Sequence, residues 1–209
     1  MVNDHTDDGQ APGQIDFPET WIFHTKEIIV EDNIGQINMR MKWLVAVLFL
    51  LIVAGVLVIS LKTKMEITSS AFINGGVVPQ EFTCDGKNVN PPILISGVPE
   101  AAKSLVLFTD DVDAPAGVFT HWVVYDMFPG ITRIDPGATP EGTPGTNTFG
   151  KEYYGGPCPN AGTHRYYFRI YALDTLLKLP WGVTRDKVET AMKGHVLDSG
   201  ELMGTYTKK

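Results

Sequence analysis

Hydrophobic positions follow two different patterns along this chain. Between Trp43 and Leu61 they run unbroken: the 19 residues WLVAVLFLLIVAGVLVISL hold no charge, and Ser60 carries the only hydroxyl. A helix of that length spans roughly 28 Å, close to the hydrocarbon thickness of a bilayer. A core helix of a globular domain would show a polar face over the same length. The stretch therefore predicts a single transmembrane helix. The sequence Ser60-Leu61-Lys62-Thr63-Lys64 that closes it lacks the small-residue cleavage site of a secretory signal, so the expectation is an uncleaved signal anchor.

From residue 65 onward the apolar residues instead fall in short, β-rich runs: Met65 to Thr68, Ile93 to Ser96, Ser104 to Thr109, His121 to Phe128, Arg165 to Leu173 and Glu201 to Tyr206. Turn-forming stretches separate them, among them Asn90-Pro91-Pro92, Pro136-Gly137 and Gly142-Thr143-Pro144-Gly145. Strands that recur without a helix after each predict a mostly β, mostly antiparallel domain with long loops. One helix is expected over Arg185 to Gly194, with Thr184 as its cap and Val188, Ala191 and Met192 on one face.

Three segments follow: an acidic, solvated tail over 1–42, the anchor over 43–61, and one domain over 65–209. The tail carries eight acidic and three basic residues. Met39 and Met41 stand directly before the span as candidate start positions. The net charge of −7 excludes the basic excess that nonspecific nucleic-acid binding needs, so no nucleic-acid partner is expected. Lys26, Arg40 and Lys42 slightly outweigh Lys62 and Lys64, which places the tail in the cytoplasm and the C-terminal domain outside it, on a single-pass protein of the cell membrane.

Residues suited to chemistry gather in three places. Asp110-Asp111-Val112-Asp113-Ala114-Pro115 follows the apolar run ending at Phe108, and its carboxylates have to be solvated, hydrogen-bonded or paired. An Asx-turn closing the strand would satisfy the same residues. His121 opens the next run. Tyr153-Tyr154-Gly155-Gly156-Pro157-Cys158-Pro159, followed by His164-Arg165-Tyr166, makes the third place, where paired glycines let backbone N–H groups approach a ligand.

Together these segments resemble the phosphatidylethanolamine-binding protein family in its bacterial and archaeal branch, the Raf kinase inhibitor-like proteins. The resemblance rests on Asp111-Val112-Asp113-Ala114-Pro115, a histidine eight residues on, Gly155-Gly156-Pro157-Cys158-Pro159 and His164-Arg165-Tyr166. Ile67 to Phe72, Phe82 to Gly86, Gly97-Val98-Pro99, Tyr171 to Asp174 and Gly194 to Leu197 extend it over essentially all of 65–209. It implies a large central antiparallel sheet, a smaller second sheet and peripheral helices. It also implies a ligand pocket built from Asp111, Asp113, His121, Gly156, Pro157, His164 and Tyr166, with no metal, no cofactor and no catalytic residue. Two departures are Val112, where the family usually has proline, and Phe119, where animal members carry tryptophan.

Such a pocket suits a phosphate-like anion or a phosphorylated headgroup: imidazoles, glycine amides and a tyrosine hydroxyl supply donors, and the aspartates orient an imidazole or receive a ligand ammonium. The expected function is a membrane-tethered binding module, and some relatives imply a kinase or protease as a regulated protein partner. The alternative is a hydrolase, metal-dependent or metal-free, using Asp111, Asp113, His121 and His164, although the spacing has none of the tight ligand patterns of Zn²⁺ sites. His195 is expected to be structural. Cys84 and Cys158 either bridge in an oxidising compartment or remain two buried free thiols.

Overall fold

A computed structural model describes residues 38–53 and 64–208. The chain divides into two compact units, 1–62 and 63–209. In the first, residues 38–53 form a helix, α1. Of the expected span, 43–53 lies in this helix and 54–61 lies outside the described residues, as does the tail over 1–37. Among the described residues no helix is long and apolar enough to cross a membrane.

The second unit is built on two antiparallel sheets. Strands β1 (Glu66–Thr68), β2 (Ile93–Ser96) and β5 (Arg133–Ile134) form the smaller, in the order β1-β2-β5. The larger has the order β6-β4-β3-β7-β8, from β3 (Ser104–Asp111), β4 (Phe119–Met127), β6 (Thr143–Pro144), β7 (Thr163–Leu173) and β8 (Val196–Thr207). The large sheet, small sheet and few helices are those the resemblance implied.

Strand β3 sits at the middle of the large sheet and is buried along its whole length, so alternation sends its side chains into two separate cores. Leu105 and Leu107 join Trp122, Val124, Phe168 and Ile170 in the core that also takes Ile67, Ile93 and Ile95 from the small sheet. Val106 and Phe108 face the other way, where Val123, Tyr125 and Leu173 pack with Val188 and Met192. Val188 belongs to α2 (Arg185–Ala191), which ends short of the expected Gly194. Thr184 is its N-cap residue, but its side chain makes no capping bond.

The observed strands outrun the expected ones where charged or polar residues find partners. Strand β3 continues past Thr109 through Asp110 and Asp111, and β8 begins at Val196 because β7 offers it a partner over the whole of Thr163–Leu173. Asp110 is fully buried on the α2 face. Its carboxylate accepts a hydrogen bond from Thr120 Oγ1 at 2.8 Å and one from Arg185 Nε at 3.2 Å, and it pairs with Arg169 Nη1 at 3.5 Å. Arg185 also lies over the Phe108 ring, 5.0 Å from its centroid, so the guanidinium locks α2 to the sheet through both charge and packing.

Removing one member of a buried charge cluster leaves the others unpaired, which costs about 3 to 5 kcal/mol. Asp110→Ala is therefore expected to lower the unfolding free energy of the domain by about that amount in urea titration. A loss below about 1 kcal/mol would show that the cluster does not hold α2.

Candidate functional site

At the C-terminal end of β3 a cavity of about 380 Å³ opens to solvent. Asp111, His121 and His164 line it, with Phe119, Phe149 and Pro159 among its apolar walls. Three elements of different sequence origin meet here: the end of β3, the start of β4 and the start of β7.

Asp111 closes β3. Its Oδ1 accepts the backbone N–H of Asp113 at 2.9 Å, an Asx-turn, and its Oδ2 accepts a hydrogen bond from His164 Nδ1 at 2.7 Å. The same carboxylate thus makes the Asx-turn and lines the cavity. A carboxylate can only accept here, so the bond assigns a proton to His164 Nδ1 and leaves Nε2 for the cavity.

His121 reaches the site through a β-bulge. Thr109 pairs with Trp122 and Asp110 pairs with Thr120, so His121 is the extra residue between two register positions. Strict alternation would send His121 and Trp122 to opposite faces. The bulge lets His121 pack edge-on to Tyr166, with ring centroids 5.3 Å apart, while Trp122 enters the same core as Tyr166. The sequence placed His121 at the start of a strand; it lies within β4 and is 1% exposed.

The His121 ring is held on its other edge by the Gly155 carbonyl, which accepts from Nδ1 at 2.7 Å. Phe119 and Phe149 each lie 5.2 Å from it, centroid to centroid. Desolvation in this aromatic surround is the largest influence on the imidazole and lowers its pKa from the ordinary 6.5, against the opposing pull of the Gly155 carbonyl and of Asp111 and Asp110. His121 is accordingly a neutral imidazole with a protonated Nδ1 and a lone pair on Nε2.

The remaining implied residues occupy other places. Asp113 turns to Arg165, accepting from its backbone N–H at 2.8 Å, from Nε at 2.9 Å and from Nη2 at 2.7 Å. The Arg165 guanidinium holds the Asp113 carboxyl down at about 2, and neither residue lines the cavity. Tyr166 lies directly opposite Asp111 in the sheet; its hydroxyl is buried and is pushed to a higher pKa first by burial and then by the Asp111 charge.

The paired glycines are closely packed and have their amides engaged within the chain. The Gly155 N–H donates to the His121 carbonyl at 3.0 Å and the Gly156 N–H to Asn88 Oδ1 at 2.7 Å, so both amides are already used. A Cβ on Gly156 would come within 2.5 Å of the Phe82 carbonyl oxygen, and one on Gly155 within 2.7 Å of the Phe149 ring. Gly156 lines a second cavity of about 220 Å³ with Lys151 and Asn147, and the Pro157 carbonyl accepts the Cys84 N–H at 3.1 Å. Cys84 and Cys158 are joined in a disulfide, with Cα atoms 5.4 Å apart, which ties the loop carrying Pro159 to the segment after Phe82.

Several residues that shape the site were not singled out in the sequence. Asn147 donates to the carbonyls of His121 and Tyr153 and accepts from the amides of Phe149 and Lys151, so it fixes the loop that carries the Phe149 wall. The neighbouring Gly/Pro-rich sequence signalled a loop there but not which side chain organises it. His195 pairs with Asp174 at 2.8 Å, in keeping with a structural role.

Comparison with known proteins gives the family. A family model described as phosphatidylethanolamine-binding protein matches residues 68–207. The chain belongs to the phosphatidylethanolamine-binding protein (PEBP) family. Within it, the chain is 45% identical to a UPF0098 protein of Methanothermobacter thermautotrophicus, over 69% of this chain and 99% of the relative. It resembles the crystal structure of a PEBP homolog from Chlamydia trachomatis with a TM-score of 0.68 and 42% identity, over 70% of this chain and 99% of that one. Escherichia coli YbcL, a member of the mammalian PEBP family, matches with a TM-score of 0.65 and 28% identity, over 70% of this chain and all of YbcL. About 70% of this chain thus aligns with nearly the whole length of each of these relatives.

Proposed function

We propose that this PEBP domain binds a small phosphate-like anion, free or as the phosphate of a lipid headgroup, in the cavity at the end of β3. The observation that carries the reading is the Asp111–His164 pair. With Nδ1 bound to Asp111 at 2.7 Å, the carboxylate stands behind the ring to balance its charge when Nε2–H donates to a ligand oxygen. The Asx-turn to Asp113 and the 6% exposure of the Asp111 side chain keep that carboxylate fixed before any ligand arrives.

Binding is favoured over hydrolysis by what surrounds the pair. Among the described residues no three His, Cys, Asp or Glu side chains gather as a metal site. The second carboxylate, Asp113, is committed to Arg165 outside the cavity. The apolar walls suit a binding cleft in which a few polar groups fix orientation. A kinase or protease as regulated partner remains the finer proposal, drawn from the resemblance alone.

Membrane tethering is proposed from the uncharged run over 43–61, with the PEBP domain outside the cytoplasm. Full-length protein is expected to pellet with membranes and resist alkaline carbonate, and deletion of 43–61 to release it; release of the full-length chain by carbonate would contradict the anchor.

For the site, NMR titration of residues 64–209 with phosphate and phosphoethanolamine is expected to saturate, with shifts confined to the ends of β3, β4 and β7. Losing one charge-assisted hydrogen bond costs about 1.5 to 3 kcal/mol, so His164→Ala should weaken binding roughly ten- to a hundredfold, while His195→Ala leaves it unchanged. Equal affinity in His164→Ala would remove the site from this cavity.

A further inference from the structure

The hydrogen bonds around the cavity specify more than an anion. Its two imidazoles are fixed in orientation from opposite sides, and each has its Nδ1 spent: His121 on the Gly155 carbonyl and His164 on the Asp111 carboxylate, both at 2.7 Å. The Gly155 and Gly156 amides are spent within the chain as well. No lysine or arginine lines this cavity, and the Arg165 guanidinium, the nearest cation along β7, is clasped by Asp113. What the walls offer a ligand is therefore one nitrogen of each imidazole and the exposed Asn160 side chain.

The geometry points to a pocket selective for an oxyanion that still carries a proton, such as dihydrogen phosphate or a phosphomonoester monoanion, whose O–H donates to His121 Nε2 while a second, ionised oxygen accepts from His164 Nε2–H. This rests on the anion-pocket reading above and names the ligand class within it. Charge balance leads to the same class. Asp111 contributes one negative charge and His164 at most one positive, so the pair is neutral at best, and a dianion would enter with no compensating cation. A monoanion with one donor and several acceptors satisfies His121, His164 and Asn160 together.

The groups facing His121 reinforce its acceptor role. Asp111 comes from β3, with Asp110 acting from the far side of the same strand, Tyr166 from β7, the Gly155 and Gly156 backbone from the loop before β7, and Phe119 and Phe149 from the walls. Burial outweighs the attraction of both carboxylates and lowers the ring's pKa from 6.5, which favours the neutral ring, whose Nε2 lone pair repels any fully ionised oxygen brought against it. Sulfate, which has the same shape as phosphate but no proton at neutral pH, would leave His121 Nε2 facing an unprotonated oxygen. Sites built around a hydrogen bond to a ligand's O–H reject the analogue that lacks it, because the buried partner is left unpaired.

Isothermal titration of the full chain in detergent and of residues 64–209, near pH 6 with phosphate, methyl phosphate and sulfate, separates the possibilities. A phosphomonoester has its second pKa at about 6, so the monoanion is abundant there. Both phosphates are expected to bind at least about tenfold more tightly than sulfate, and His121→Ala to narrow that ratio by weakening the phosphates more than sulfate. The ratio measured on the unaltered protein decides the question even where the variant fails to fold. Sulfate binding as tightly as phosphate would overturn the inference and leave the anion pocket standing. Absence of saturable binding by all three would remove the pocket reading and this inference with it.

Discussion

Two adjacent carboxylates at the end of the central strand govern the organisation of this domain. Alternation along β3 sends Asp110 to the α2 face and Asp111 to the cavity face, and both are almost completely buried. A buried carboxylate is tolerated only with partners that replace water. On one side Thr120, Arg185 and Arg169 do so, and in doing so they fasten α2 to the sheet. On the other side His164 and the backbone of Asp113 do so, and the result is an imidazole held in one orientation at the mouth of a cavity. The architecture and the site are thus two consequences of one pair of adjacent residues.

The same economy appears around His121. The bulge between Thr109 and Asp110 is what allows Thr120 to reach Asp110 while His121 and Trp122 turn to the opposite core. Gly155 then matters for the closeness of its approach: its carbonyl fixes Nδ1, its amide bonds the His121 carbonyl, and a Cβ at that position would collide with Phe149. The aromatic wall, the bulge and the glycine together make His121 a neutral acceptor in a place where composition alone would have suggested a cationic donor.

What the sequence made legible follows from how local each signal is. The long strands were readable because their β-rich apolar runs, bounded by turn residues, are local signals, and the aspartates and His164 stood out because charge at a strand end needs a partner. Strands β5 and β6 were not readable: two residues each carry no period, and they exist because the neighbouring β2 and β4 offer them hydrogen bonds. The bulge at His121 is a property of pairing between two strands and leaves no mark on either alone. Charged Asp110 and Asp111 looked like the end of β3, since their partners Arg169, Arg185 and His164 lie more than 50 residues away. The glycine pair drew attention to the loop, and only the packing of Phe82, Asn88 and Phe149 shows where its amides go.

The central claim is that His121 is held neutral, protonated on Nδ1, with Nε2 open to the cavity. Long-range ¹H–¹⁵N correlation of the histidine rings in the uniformly labelled domain observes this state directly. A group whose pKa is lowered in the fold takes up its proton only at a pH below its ordinary value, so His121 is predicted to keep the Nδ1–H tautomer, with an unprotonated Nε2, as the pH falls through its ordinary 6.5. A ring that becomes doubly protonated at or above that value, or that carries its proton on Nε2 when neutral, would contradict the account.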